Sequence, residues 1–163
     1  MRILHRTLMY LSLVVWLGAE VFFPFVAAVA FSTLRPDTHA AGMIVAELLH
    51  ILHAMGLVSG TVAVVLLALA PFQRIYKPRM VLAPMVLLLL MIALTAYSQF
   101  GIIPAMALDR IAADGAADSP DTTNPNWIDF NRLHHRAVRV EEVILLLGLA
   151  TVTLGAANET AKP

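Results

Sequence analysis

Cysteine is absent from all 163 residues, charged residues make up only 13% of them, and neither sign is in excess, with 11 basic and 11 acidic side chains. The first absence excludes disulfides, thiolate metal sites, iron–sulfur clusters and thiol nucleophiles, and leaves only nitrogen and oxygen ligands for any metal. The second excludes an ordinary soluble domain, in which about a quarter of residues are charged. The third removes the basic footprint of a nucleic-acid binder, so no nucleic-acid partner is expected. Phosphate-cradling glycine loops and nucleophile–base motifs are missing too, so the chain is not expected to be an enzyme.

What takes the place of charge is apolar: 60% of the residues are hydrophobic. Four runs, at about 8–31, 40–70, 80–106 and 126–157, are long enough to cross a hydrocarbon core that needs roughly 20 helical residues. Breaker-rich separators divide them: "STLRPDTH", "PFQRIYKPR" and a polar stretch at 109–125 containing Gly115, Pro120 and Pro125. Asn124 and Pro125 have the chemistry of a helix cap and first helical residue, so the last helix is expected to start before its apolar part. The expected fold is all-α, a single integral membrane four-helix bundle. The first run also has features of a signal peptide, with Arg2 and Arg6 before it and "AVAFS", which resembles a small-residue cleavage site, at its end. It is longer than the usual h-region of about 7–15 residues and contains Glu20 and Pro24, so it is read as a retained helix.

Basic residues set the expected orientation. Arg2 and Arg6 precede the first run, and Arg74, Lys77 and Arg79 fill the tight second connection. By the positive-inside rule both termini are expected in the cytoplasm, in a protein of the bacterial inner membrane. The lipid bilayer is then the first partner, with a second copy or another membrane protein as a further one.

The ionisable residues within the apolar runs fall in the half away from the cytoplasm. Glu20 sits midway along the first run, Glu47, His50 and His53 open the second, and Gln99 lies near the outer end of the third. In the fourth, the charge-free stretch Val143–Ala157 is only about 22 Å long at 1.5 Å per residue. It is too short to span roughly 30 Å, which brings Glu141 and Glu142 to the membrane or its margin. Buried acids normally face a bundle interior, so a polar outward-facing pocket is expected from Glu20, Glu47, His50, His53, Gln99, His134, Glu141 and Glu142. At 100° per residue Glu47, His50 and Ala54 share a strip, with His53, Gly56 and Gly60 beside it. Leu48, Ile51, Leu52, Met55, Val58 and Val62 are then expected to face lipid. The Gly56-x-x-x-Gly60 spacing predicts a close helix contact. Pro24 and Pro104 free the carbonyls of Glu20 and Phe100 for other partners.

Three functions fit these residues. One is an accessory or structural membrane protein whose polar groups pair with one another. Another is a site for a divalent transition metal, with Glu47, His50, His134 and Glu141 as ligands, or for haem b between His50 or His53 and His134. Glu47 and His50 have the Glu-x-x-His spacing of di-iron bundles, but no second copy exists, since His134 precedes Glu141 by seven residues. The third is passage of protons or a small solute, against which stands the apolar character of the cytoplasmic half.

The segments "WLGAEVFFPFVAAVAF", "AGMIVAELLHILHAMGLVSG", "FGIIPAMALDRI" and "FNRLHHRAV" resemble the bacterial membrane family catalogued as domain of unknown function 4149, related to eukaryotic transmembrane protein 205. The resemblance implies a four-helix membrane protein of unassigned biochemistry, with a eukaryotic branch associated with platinum-drug tolerance. It supplies no catalytic residues. The family pattern has serine and asparagine where this chain has Ala137 and Glu141, which makes this site more acidic.

Overall fold

The computed structural model describes residues 2–113 and 123–160, with the backbone alone at 159 and 160. Helix α1 runs Arg2–Thr33, α2 Thr38–Leu69 and α3 Pro78–Tyr97; a π-helical turn at Ser98–Ile102 leads into α4, Ile103–Ala112; and α5 runs Pro125–Thr160. No strand occurs among the described residues. The third span is continuous from Pro78 to Ala112, so four helices are long and apolar enough to cross a membrane. The chain is an integral membrane four-helix bundle.

The ends of these helices follow local chemistry. Asp37 caps α2 by accepting from the Ala40 amide at 2.9 Å. Asn124 accepts from the Asn126 amide at 3.0 Å, with Pro125 as the first helical residue, as the sequence predicts. Between α2 and α3, Arg74 takes a left-handed conformation (φ 54°) and buried Ile75 and Tyr76 anchor the turn, with the Arg6 guanidinium 5.6 Å from the Tyr76 ring. The third helix runs past Asp109, where the sequence predicts a loop. Its extension is held against α5 by Arg110, whose guanidinium lies 5.2 Å from the Phe130 ring. The remainder of that loop, 114–122, lies outside the described residues.

Neighbouring spans pack antiparallel, and a few contacts fix their register. His5 Nε2 lies 2.8 Å from the Leu66 carbonyl, and Trp16 of α1 sits over Gly56 and Gly60 of α2. A side chain on Gly60 would also meet Ile92 of α3, while His53 bonds to Gln99 one level further out, outward here meaning away from the α2–α3 turn and inward toward it. Ser98 bonds to Glu141, and Met91 lies against Gly148. Counting helical turns from these contacts places Glu20, His53, Ser98 and Glu141 at one level of the bundle, with Leu13, Leu88, Met91 and Ile144 buried further inward.

Gly56 and Gly60 act as more than a general helix-packing motif. A Cβ on Gly56 would stand 2.5 Å from Trp16 Nε1, and one on Gly60 would strike the same indole ring. The absent side chains make the recess in which Trp16, 1% exposed, is held. Gly148 does the same on α5 for Leu17.

One expectation about α2 is corrected. Leu52, predicted to face lipid, is 4% exposed, whereas Ile51, Val58 and Val62 are exposed as expected. The buried residues of α2 are Ala41, Leu52, His53, Gly56, Gly60, Ala63 and Leu67, a wide face because α1 and α3 both pack on this helix. Ala54 and Glu47 are exposed, so the interior strip is the one containing His53 rather than its neighbour.

Candidate functional site

Each of the four spans brings one or two polar side chains to the common level. On α1, Glu20 is 5% exposed, and its Oε1 accepts from Trp16 Nε1 at 3.1 Å, one turn back along the helix. Pro24 stands four residues on and removes the amide that would pair with the Glu20 carbonyl. On α2, His53 is fully buried and engages both ring nitrogens: Nδ1 lies 3.0 Å from Gln99 Oε1 and Nε2 lies 2.8 Å from Glu141 Oε1.

The third span presents Ser98 and Gln99 from its π-helical turn, where the Ile103 amide bonds to the Ser98 carbonyl five residues back. Such a turn widens the helix just before Pro104, which has no amide to offer Phe100. Ile102 and Ile103 are both buried there. Ser98 Oγ donates to Glu141 Oε1 at 3.1 Å, and Gln99 Nε2 lies 3.0 Å from His50 Nδ1. A continuous hydrogen-bonded chain therefore runs from half-buried His50 through Gln99 and His53 to Glu141 and Ser98.

Donor counting constrains its protons. With the Gln99 amide as oriented, Oε1 accepts from His53 Nδ1–H, and Nε2–H donates to the His50 Nδ1 lone pair. His53 Nε2 and Glu141 Oε1 must then share one further proton, as imidazolium with carboxylate or imidazole with carboxylic acid. Both forms are net neutral, which suits a site in low dielectric. Glu20 is close enough to Glu141 and His53 to interact with both electrostatically.

The other residues expected in the pocket are placed differently. Glu47, His134 and Glu142 are exposed and make no hydrogen bond or ion pair among the described residues. His134 instead stacks on Phe130 of its own helix, with ring centroids 6.4 Å apart. Glu47 stands about 14 Å from the start of α2, a helix of 32 residues whose length of about 48 Å exceeds the roughly 30 Å of hydrocarbon. Among the described residues no group of three or more histidine, aspartate or glutamate side chains is placed to hold a metal ion. Trp16 and Ser98, which complete the layer, carry no charge to draw attention in the sequence. Their signals were the glycine recess and the free carbonyl before Pro104.

A family model described as Domain of unknown function (DUF4149) matches residues 11–108. The chain belongs to this family. The DUF4149 match covers Glu20, His50, His53, Ser98 and Gln99, and ends before α5 with Glu141. Comparison with curated proteins and with solved structures finds no match for the chain.

Proposed function

We propose that this DUF4149 protein is an accessory or structural protein of a bacterial inner membrane, with both termini in the cytoplasm and a polar pocket opening outward at the level of His53. One observation carries the reading: each of the four spans contributes a polar side chain to a single level, and three of them are joined there by direct hydrogen bonds through His53, Glu141, Ser98 and Gln99. Polar groups in lipid-surrounded helices favour the neighbours that satisfy them, so such a layer selects one pairing and one register of the spans. Half-buried His50 is its outward edge.

Metal or haem binding has less support, since both nitrogens of His53 are engaged and His134 takes no part in the chain. Passage across the membrane is opposed by the inward side of the layer, where Trp16, Leu88, Met91 and Ile144 are buried in apolar packing.

Elemental analysis with an absorption spectrum of the purified protein tests the reading. Neither a stoichiometric metal nor a Soret band is expected; finding either would replace it with a cofactor-binding one. Orientation is tested separately with single cysteines at Gln73 and at Ser119, the latter outside the described residues. Impermeant thiol reagents should reach Gln73→Cys from the cytoplasm and Ser119→Cys from the opposite side, and labelling of both from one side would overturn the topology.

A further inference from the structure

Two buried polar atoms beside the layer have no hydrogen-bonding partner: Glu141 Oε2 and Thr95 Oγ1. Thr95 is completely buried. A helical threonine or serine commonly returns its hydroxyl to the carbonyl four residues back. Ser12, Thr61, Thr151 and Thr153 all do so, at 2.6, 2.7, 2.8 and 2.8 Å. Thr95 does not.

The helix register brings the two residues to one stretch of the interface between the third and fourth spans. Ser98 meets Glu141 and Met91 meets Gly148, so Thr95 stands opposite Ile144, one turn inward of the Ser98–Glu141 bond. Glu20, from the first span, is the second acid within electrostatic reach of Glu141.

We propose that the layer binds one water molecule between Glu141 Oε2 and Thr95 Oγ1. Water is the ligand class that fits: it donates to the carboxylate oxygen, accepts from the threonine hydroxyl, and keeps a second O–H for the Glu20 side of the site. A hard cation would ask for about six oxygen ligands, more than these side chains offer. The bound water hydrates Glu141 on its inward side, where the packing around Trp16 and Ile144 leaves the acid no protein donor. The proposal deepens the reading of the polar layer and rests on it.

Water-edited solid-state NMR on the full chain in lipid bilayers tests it. Rapid magnetisation transfer from water is expected at the Glu141 carboxyl carbon and Thr95 Cβ. Thr95→Ser should keep the transfer at Glu141, and Thr95→Val, nearly the same in shape, should reduce it several-fold while leaving the His53 ring-nitrogen shifts unchanged. Thr95→Ala should repeat that loss if the valine variant does not fold. No transfer at Glu141 in the natural protein, or equal transfer in Thr95→Val, would overturn the site. So would sodium-dependent stabilisation at constant ionic strength that Thr95→Val abolishes, since that identifies a cation. Ring-nitrogen shifts showing His53 without a bond to Glu141 would bring down the layer itself, a result separable from the fate of the water.

Discussion

At the level of His53 every span offers its neighbours a polar side chain, whereas further inward the same helices meet through Leu13, Gly60, Met91 and Gly148. The outer contacts are few, directional and mutually dependent: Glu141 Oε1 alone serves both His53 and Ser98. The inner contacts are many and non-directional, and depend on shape, as where Trp16 fills the recess over two glycines. Lipid tails are as apolar as leucine, so burying leucine gains little from the hydrophobic effect inside a membrane. Fit carries most of the inner half, with His5 at the Leu66 carbonyl and Asn158 donating to the Met80 carbonyl at its far end, while the outer half adds the cost of leaving a polar atom unmatched.

The largest break in that contrast should come from His53→Leu. It leaves Glu141 and Gln99 without their shared partner, and removing one member of a buried pair costs about 3–5 kcal/mol. Adding Glu141→Leu should recover part of the loss, because an apolar pair leaves no unmatched charge. Unfolding of both variants in mixed detergent and denaturant reads the difference. A double variant as unstable as the sum of the two singles would show that the residues act independently.

Leu52→Ala comes next, and it tests where the sequence misled. Helical spacing separates the residues of α2 into strips but does not fix how the helix is turned about its axis, nor that two neighbours widen its buried face. Leu52 was therefore assigned to lipid and is buried. The loss expected on truncation is about 2 kcal/mol, from packing that the cavity forfeits. Val58→Ala, at a position 66% exposed, should stay within about 0.5 kcal/mol of the natural protein. Equal effects at the two positions would restore the sequence-based assignment.

Other parts of the fold were legible for clear reasons. Span number follows from length and hydropathy, and the start of α5 from Asn124 and Pro125, because these signals are local. The pairing of His53 with Glu141 was partly legible, as lipid restricts where an acid and an imidazole can go. That Gln99 would link two histidines was not, because its direction depends on the π-helical turn at Ser98–Ile102. Glu47 and His134 look equivalent to His53 in sequence, yet both are exposed where His53 is buried, because spacing along a helix does not fix which strip its neighbours cover.

Within the inner half, Gly60→Ala should destabilise by about 1–3 kcal/mol, the usual range for overpacking. The new methyl group would strike the Trp16 ring and also stand 2.9 Å from Ile92, so side chains of two other helices would have to shift. Replacing Trp16 by leucine in the same chain should relieve the clash, and no relief would mean that the cost lies elsewhere than in the recess.

The smallest effect expected has the opposite sign and marks where inner packing is loose. Met9, Leu13, Leu67, Leu88 and Gly155 border a cavity of about 30 Å³ near the inner end of the bundle. A Cβ on Gly155 would lie 3.7 Å from the Tyr10 ring, an ordinary contact. Glycine inside a helix costs roughly 0.5–1 kcal/mol relative to alanine, through the greater backbone freedom it loses on folding. Gly155→Ala should therefore stabilise the protein by up to about that amount. Gly60→Ala carries the same backbone gain, so the difference between the two variants isolates the clash with Trp16. If thermal unfolding in one lipid–detergent mixture shows Gly155→Ala to be as destabilising as Gly60→Ala, small residues matter to this bundle for a reason other than the space they leave, and the role assigned to the Trp16 recess fails with it.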